Sequence, residues 1–155
     1  MARSTAAITA SMSTTCLTSP SRSTRVTAGR IAGLMTSGSL NVGLIGLGTV
    51  GGQVADRLLT WQPQLARRAG IELCLKRVLV RDVNKPRAVT APNELLTADP
   101  NALLDDPSIQ ILVEVAGGDE PMHGYLERAI RSGKHVVTAN KVVMAKHGPE
   151  LLDLA

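Results

Sequence analysis

The stretch Asn41-Val-Gly-Leu-Ile-Gly-Leu-Gly-Thr-Val-Gly51 decides the fold of this 155-residue chain. Residues 41–45 form a short apolar run that predicts a β-strand ending at a turn. Residues 50–59 follow with apolar side chains at helical spacing, which predicts a helix that buries one face. The chain therefore begins its ordered part as a strand, a glycine-rich turn and a helix in direct succession.

The turn has the form G-x-G-x-x-G and lies in the context that makes this motif credible, between a strand and a helix. Gly46 permits the tight turn, Gly48 lets a pyrophosphate approach the backbone, and Gly51 lets the helix pack closely against the strand. The helix start then offers free N–H groups and the positive end of a dipole. The motif predicts dinucleotide binding; a turn that only packs a helix on a sheet is the alternative.

The rest of the chain continues the alternation of strands and helices. Further strands are predicted at 71–81, 109–115 and 135–138, helices at 65–68, 99–104, 120–131 and 149–154, and a loop at 82–98. Such alternation predicts parallel β-α-β units. We expect an α/β, Rossmann-like, doubly wound parallel sheet, incomplete at its C-terminus because the chain ends at Ala155 within a helix.

The first 39 residues differ in composition from the rest. They are rich in Ser and Thr, carry four Arg and contain no acid, so we expect a disordered extension before a domain at 40–155. Upstream sequence from a misplaced start, with Met35 as the true one, is the favoured interpretation. An organelle transit peptide is the alternative; otherwise a cytoplasmic location is expected.

The formal net charge of +4 comes entirely from this extension, because basic and acidic residues are equal in number beyond residue 40. The charge therefore does not indicate a nucleic-acid partner. No apolar run approaches the ~20 residues of a membrane span, so no membrane association is expected. The two cysteines and three histidines have no ligand spacing, and no metal site is predicted. The histidines are expected to be structural or solvated.

The residues after the second predicted strand bear on the choice of cofactor. An acid there binds the ribose 2′-OH of NAD, whereas an Arg favours the 2′-phosphate of NADP. The chain has Arg81 and Asp82 in succession, with Lys85 and Arg87 close behind. Three cations against one acid favour NADP, although use of both cofactors stays open and a solvated charged loop is the alternative.

Three later segments carry a resemblance to a family. They are Val113-Glu-Val-Ala-Gly-Gly118, Gly133-Lys-His-Val-Val-Thr-Ala-Asn-Lys141 and Ala145-Lys-His-Gly-Pro-Glu-Leu151. Together with the glycine turn and Val80-Arg-Asp-Val-Asn-Lys85, they resemble the amino-terminal NAD(P)-binding domain of homoserine dehydrogenase, from about residue 41 to the last residue.

The resemblance implies interconversion of L-homoserine and L-aspartate 4-semialdehyde, in threonine and methionine biosynthesis. It implies cofactor contacts from Leu47, Thr49, Val50, Arg81 and Gly117. It also implies that Thr138, Ala139, Asn140 and Lys141 sit beside the nicotinamide, with Lys141 lining the active site. From its spacing alone, Lys141 is equally a surface lysine at a helix start.

The family continues into a last strand and a substrate-binding, dimerisation domain with a second active-site lysine. We expect the 155 residues to end before that domain and to be inactive alone, and we expect the full-length enzyme to be a homo-oligomer. Two other hypotheses stay open: a stand-alone nucleotide-binding module without catalysis, and another amino-acid or semialdehyde dehydrogenase.

Overall fold

The computed structural model describes residues 38–87 and 91–155, which belong to one compact unit. The predictions of a disordered extension, a misplaced start and organelle targeting fall on residues 1–37, outside the described residues. The first strand begins at Ser39, two residues before its predicted start. No helix in the described ranges has the length and apolar character needed to cross a bilayer.

Five strands alternate with helices along the chain. In order, the elements are β1 Ser39–Ile45, α1 Thr49–Thr60, α2 Gln62–Ala69, β2 Glu72–Leu79, a 3-10 helix Asn93–Leu95, β3 Leu96–Thr97, α3 Asn101–Leu104, β4 Ile111–Glu114, α4 Met122–Arg131, β5 His135–Thr138 and α5 Lys141–Leu154. The sheet has the order β3-β2-β1-β4-β5, and every pair of neighbouring strands is parallel. This is the order of a Rossmann-like doubly wound sheet, as predicted.

The two faces of the sheet bury separate apolar clusters, as the side-chain alternation of a strand requires. Leu44 packs with Ala55 and Leu58 of α1. Its neighbour Ile45 faces the opposite side and packs in the cluster that contains Leu126 of α4. The buried members of both clusters include no aromatic residue, although Tyr125 packs against one cluster, and the sheet is held between two layers of helices.

The break between α1 and α2 lies within the predicted gap, although α2 begins at Gln62, three residues before its predicted start. Trp61 separates the two helices, with the Arg57 guanidinium 3.8 Å from its ring centroid, and Pro63 occupies the first turn of α2. Gly70 ends α2 in the left-handed conformation, at φ 71°. Glycine adopts that conformation at little cost, which explains why the chain turns into β2 at this point.

Several predicted boundaries were wrong. Residues 82–98 are not all loop, since the 3-10 helix and β3 lie within them. Helices α3 and α4 each begin two residues later than predicted, with Pro100 and Pro121 as N-caps rather than helical residues. The last helix begins at Lys141, eight residues before the predicted start, and carries Pro149 in its interior.

Candidate cofactor-binding site

The glycine turn joins β1 to α1 with the backbone geometry that only glycine supports. Gly46 has φ 96°, and a Cβ built on it would lie 2.9 Å from the Cα of Ala116. A Cβ on Gly51 would lie 2.1 Å from the carbonyl oxygen of Gly46. Both glycines therefore let α1 and the loop after β4 approach the turn closely, as the motif predicted.

Gly48 differs from these two glycines. A Cβ built on it meets no protein atom within 4 Å, so the fold itself does not require glycine here. Gly48 is the N-cap of α1, without a side-chain cap hydrogen bond, and the first turn of this helix has no acid. No capping side chain accepts a hydrogen bond from the first N–H groups of α1, so these groups can bind an anion.

A cavity of about 630 Å³ lies beside this turn, at the carboxyl ends of β1, β2 and β4. Ligands of open α/β sheets bind at this edge. Half of the predicted site residues line it: Gly46, Leu47, Gly48, Thr49, Arg81 and Gly117. The others do not: Val50, Gly51, Thr138, Ala139, Asn140 and Lys141.

The residues outside the cavity have distinct positions. Val50 is 57% exposed on α1, and Gly51 is buried under the turn. The remaining four follow one another at the end of β5 and the start of α5.

The charged loop after β2 contributes three cations and one acid to the cavity wall. The Asp82 carboxylate accepts a hydrogen bond from the amide of Asn84 at 2.9 Å. The Arg87 guanidinium donates to backbone carbonyls of the same loop, among them that of Lys85 at 2.8 Å. Arg81 and Lys85 are exposed and, within the described ranges, make no side-chain hydrogen bond or ion pair. Their charges are the ones available to a ligand.

Glu114 is buried next to residues 116–118, which line the cavity, and it was not among the predicted site residues. Its side chain is 0% exposed. Its Oε1 accepts hydrogen bonds from the amides of Ala116 at 2.8 Å and Gly117 at 3.0 Å. Its Oε2 accepts the hydroxyl of Thr138 at 2.6 Å. One carboxylate thus fixes the cavity loop after β4 and the end of β5.

Asn140 completes this connection. Its Nδ2 donates to the carbonyl of Gly118 at 2.6 Å, and its Oδ1 accepts from the amides of Val142 and Val143, each at 3.2 Å. Asn140 therefore caps α5 and binds the cavity loop with the same amide group. Lys141, the first residue of α5, is exposed and directly follows this fixed point.

One signal for Glu114 was present in the sequence. It lies between apolar residues at the end of a predicted strand, and a carboxylate buried in such a run needs hydrogen-bond donors. The backbone amides at 116 and 117 are near enough in sequence to be foreseen. Thr138 and Asn140 were predicted to lie beside the cofactor, but their hydrogen bonds to Glu114 and Gly118 were not foreseen.

Comparisons with known proteins agree with this architecture. The family described as the NAD-binding domain of homoserine dehydrogenase matches residues 46–155. The chain is 46% identical over 114 residues to a homoserine dehydrogenase of Bacillus subtilis, covering 74% of this chain and 26% of that protein. It is 44% identical over 117 residues to one of Synechocystis, covering 76% and 27%.

Solved structures give the same result. A homoserine dehydrogenase from S. aureus superposes with a TM-score of 0.71 at 41% identity, over 76% of this chain and 30% of that one. A hyperthermophilic archaeal homoserine dehydrogenase mutant in complex with NADPH superposes with a TM-score of 0.59 at 25% identity, over 76% and 40%. The chain thus spans about a quarter of the length of the curated relatives named above. With its glycine turn, parallel sheet and matched residues, the chain belongs to the family of homoserine dehydrogenase NAD-binding domains.

Proposed function

We propose that this chain is the NADP(H)-binding part of an enzyme that interconverts L-homoserine and L-aspartate 4-semialdehyde. The main observation behind the proposal is the surroundings of Gly48. The N-terminus of α1 and a residue without a side chain face the cavity there. A dinucleotide pyrophosphate fits this position, because backbone amides bind its oxygens and no Cβ stands in the way.

Preference for NADP follows from the loop after β2. The 2′-phosphate carries close to two negative charges, and Arg81 and Lys85 stand at the cavity wall without partners among the described residues. Asp82, the acid that would bind a ribose hydroxyl, already accepts the amide of Asn84. The NADPH complex of the archaeal relative supports the same choice.

The nicotinamide cofactor, when bound, supplies or accepts the hydride of the reaction. The chain's own residues bind and orient it: the first amides of α1 bind the pyrophosphate, and Arg81 and Lys85 bind the 2′-phosphate. Glu114 holds the loop at residues 116–118 against the cavity. For Lys141 we propose a role beside the reacting carbon, where its Nζ polarises a carbonyl oxygen or transfers a proton.

The whole enzyme's activity requires substrate held against the nicotinamide, and positioning of this kind supplies roughly 7–11 kcal/mol of a barrier. We propose that the 155 residues bind cofactor but do not turn over homoserine by themselves. For the whole enzyme we propose a cytoplasmic location and a homo-oligomeric assembly.

The test is a calorimetric titration of the chain with NADPH and with NADH. We expect binding of both, tighter for NADPH, and loss of both in Gly48→Val, because the new side chain enters the pyrophosphate position. Gln53→Val adds the same side chain at an exposed position of α1 that does not line the cavity, and its affinities should equal those of the wild type. Undiminished binding by Gly48→Val would contradict the proposal.

A further inference from the structure

Helices α4 and α5 bring together three side chains that the cofactor site does not use. His123 lies on α4, and His147 and Glu150 lie one helical turn apart on α5. Each offers a nitrogen or oxygen atom, and these three atoms all lie within 4.8 Å of one another. The two histidines are 24 positions apart in the sequence and meet only because the helices pack side by side. The expectation that the histidines are merely structural or solvated did not foresee this cluster.

The geometry of the two imidazoles is well defined. Their ring centroids are 3.8 Å apart and their planes are inclined by 14°. The side chain of His123 is only 15% exposed and that of His147 is 28% exposed. The stacking brings the two rings into direct contact between α4 and α5, and Nε2 of His123 lies 3.9 Å from Glu150 Oε2.

His123 has an unsatisfied nitrogen within this cluster. Its Nε2 is buried and has no hydrogen-bond partner in the described part of the chain. Glu150 Oε2 is 3.9 Å away, beyond hydrogen-bonding distance. The other ring nitrogen, Nδ1, lies 3.3 Å from Glu120 Oε1. A buried polar atom without a partner costs free energy, so Nε2 is the atom of this cluster that gains most from binding an ion.

His147 has the outer partner that ligating histidines commonly have. Its Nε2 lies 3.2 Å from Asp119 Oδ1, and the same carboxylate is hydrogen bonded to Lys146. A carboxylate hydrogen bonded to a histidine fixes the ring orientation and makes the histidine a better metal ligand.

We propose that His123, His147 and Glu150 bind one divalent transition-metal ion of the zinc class. Two imidazoles and one carboxylate are an established zinc ligand set, with water in the remaining position. Imidazole nitrogen favours zinc, copper, nickel and cobalt over magnesium and calcium. The ion would join α4 to α5 next to the cofactor cavity, whose wall includes Glu120. The proposal does not depend on the proposed function.

The experiment is a calorimetric titration of the full 155-residue chain, freed of metal and carrying no polyhistidine tag, with zinc chloride. We expect one equivalent of Zn²⁺ to bind, and His123→Gln and His147→Gln each to lower the affinity about 10-fold or more. His135→Gln is the matched control, because His135 is the one histidine of the chain outside this cluster and lies exposed on β5. Its affinity should equal that of the wild type.

A second variant guards against loss of folding in the histidine variants. Glu150 is 59% exposed, so Glu150→Gln leaves the packing of α5 intact and should still weaken Zn²⁺ binding about 10-fold. At a fixed excess of Zn²⁺ the melting temperature of the wild type and of His135→Gln should rise further than that of Glu150→Gln, because tighter binding to the folded state stabilises it more. Absence of binding, or equal binding by the wild type, His147→Gln and Glu150→Gln, would overturn the proposal.

Discussion

Thr138 donates its hydroxyl to the buried carboxylate of Glu114 at 2.6 Å. This hydrogen bond joins the carboxyl ends of the neighbouring strands β5 and β4, which are paired at these two residues. The other oxygen of Glu114 holds the amides of Ala116 and Gly117. The cavity loop and the segment that leads to Lys141 therefore share one acceptor, and a change at Glu114 should be felt in both.

Glu114→Gln should lower stability and weaken the cofactor complex. A glutamine has one acceptor oxygen, so its NH₂ group must face at least one donor that Glu114 now accepts. We expect the free energy of unfolding to fall by about 1–3 kcal/mol, the cost of an unsatisfied buried group. Urea denaturation measures this change, and Glu94→Gln, at an exposed residue of the 3-10 helix, is the control. Equal stability of the two variants would contradict the role given to Glu114.

Substitutions of Gly51 and Gly48 should differ in their effect on the stability of the fold. Alanine is favoured over glycine in a helix by about 1 kcal/mol, yet Gly51→Ala should destabilise, because its Cβ would lie 2.1 Å from the Gly46 carbonyl oxygen. We expect a loss of about 1–3 kcal/mol, as for other overpacked sites. Gly48→Ala meets no protein atom within 4 Å and should leave the melting temperature unchanged. Melting curves for both variants test this, and a stable Gly51→Ala would show that the turn relaxes.

The strongest elements of the fold could be predicted because their signals are local. Residues 41–51 contain a strand, a turn and a helix start whose spacing is visible in the sequence alone. By contrast, β3 has only the two residues Leu96 and Thr97, too few for any periodicity. Its place in the sheet depends on pairing with Val78 and Leu79, which no local pattern reveals.

The start of α5 was missed for a different physical reason. Pro149 resembles a first helical residue, since proline has no N–H to lose there. In the structure Asn140 caps the helix instead, and Pro149 forgoes its bond to the carbonyl of residue 145. The same side-chain amide of Asn140 also binds Gly118, 22 positions earlier. Contacts of that kind, like those of Glu114 with Thr138, arise only from the packed fold.

Arg81→Ala should change cofactor selectivity more than cofactor binding as such. Loss of a charge-assisted hydrogen bond costs about 1.5–3 kcal/mol, so the affinity for NADPH should fall roughly 10- to 100-fold, while that for NADH changes little. Arg68→Ala removes the same charge from the exposed face of α2 and is the control. Equal losses for both cofactors, measured by calorimetry, would remove Arg81 from the 2′-phosphate site.

Titration of Lys134 should make the free energy of unfolding depend on pH in the alkaline range. Its Nζ donates to the carbonyls of Asp106 at 2.7 Å and Ile109 at 3.0 Å. Burial lowers the pKa of Lys134, although the charges of Asp106 and Asp105 oppose this. Between this lowered pKa and the ordinary value of about 10.4, the unfolded chain binds more protons than the folded one.

Stability should therefore rise with pH through that interval, relative to Lys134→Met, which lacks the titrating group. At neutral pH the same variant should be less stable by about 1–3 kcal/mol, because two carbonyls lose their donor. Urea denaturation of the wild type and of Lys134→Met between about pH 7 and pH 11 tests the pH dependence and the difference at neutral pH. A difference in unfolding free energy that does not vary with pH would show that the lowered pKa has no effect on folding.

Lys141 should matter for turnover and not for cofactor binding. It follows Asn140, which binds Gly118 of the cavity loop, so its backbone is fixed next to the cofactor-binding edge while its side chain is exposed. The suitable test protein is a chimera in which residues 40–155 replace the matching part of the Bacillus subtilis relative, which is 46% identical. In that chimera Lys141→Ala should lower kcat/KM about 10²-fold or more, the scale of general acid–base catalysis. The affinity for NADPH should not change, because the glycine turn is intact.

Lys146→Ala, also exposed on α5, serves as the control for loss of a nearby charge. Near-normal turnover by Lys141→Ala would leave Lys141 as a surface residue at a helix start, while a parallel loss of NADPH affinity would assign it to cofactor binding instead of proton transfer.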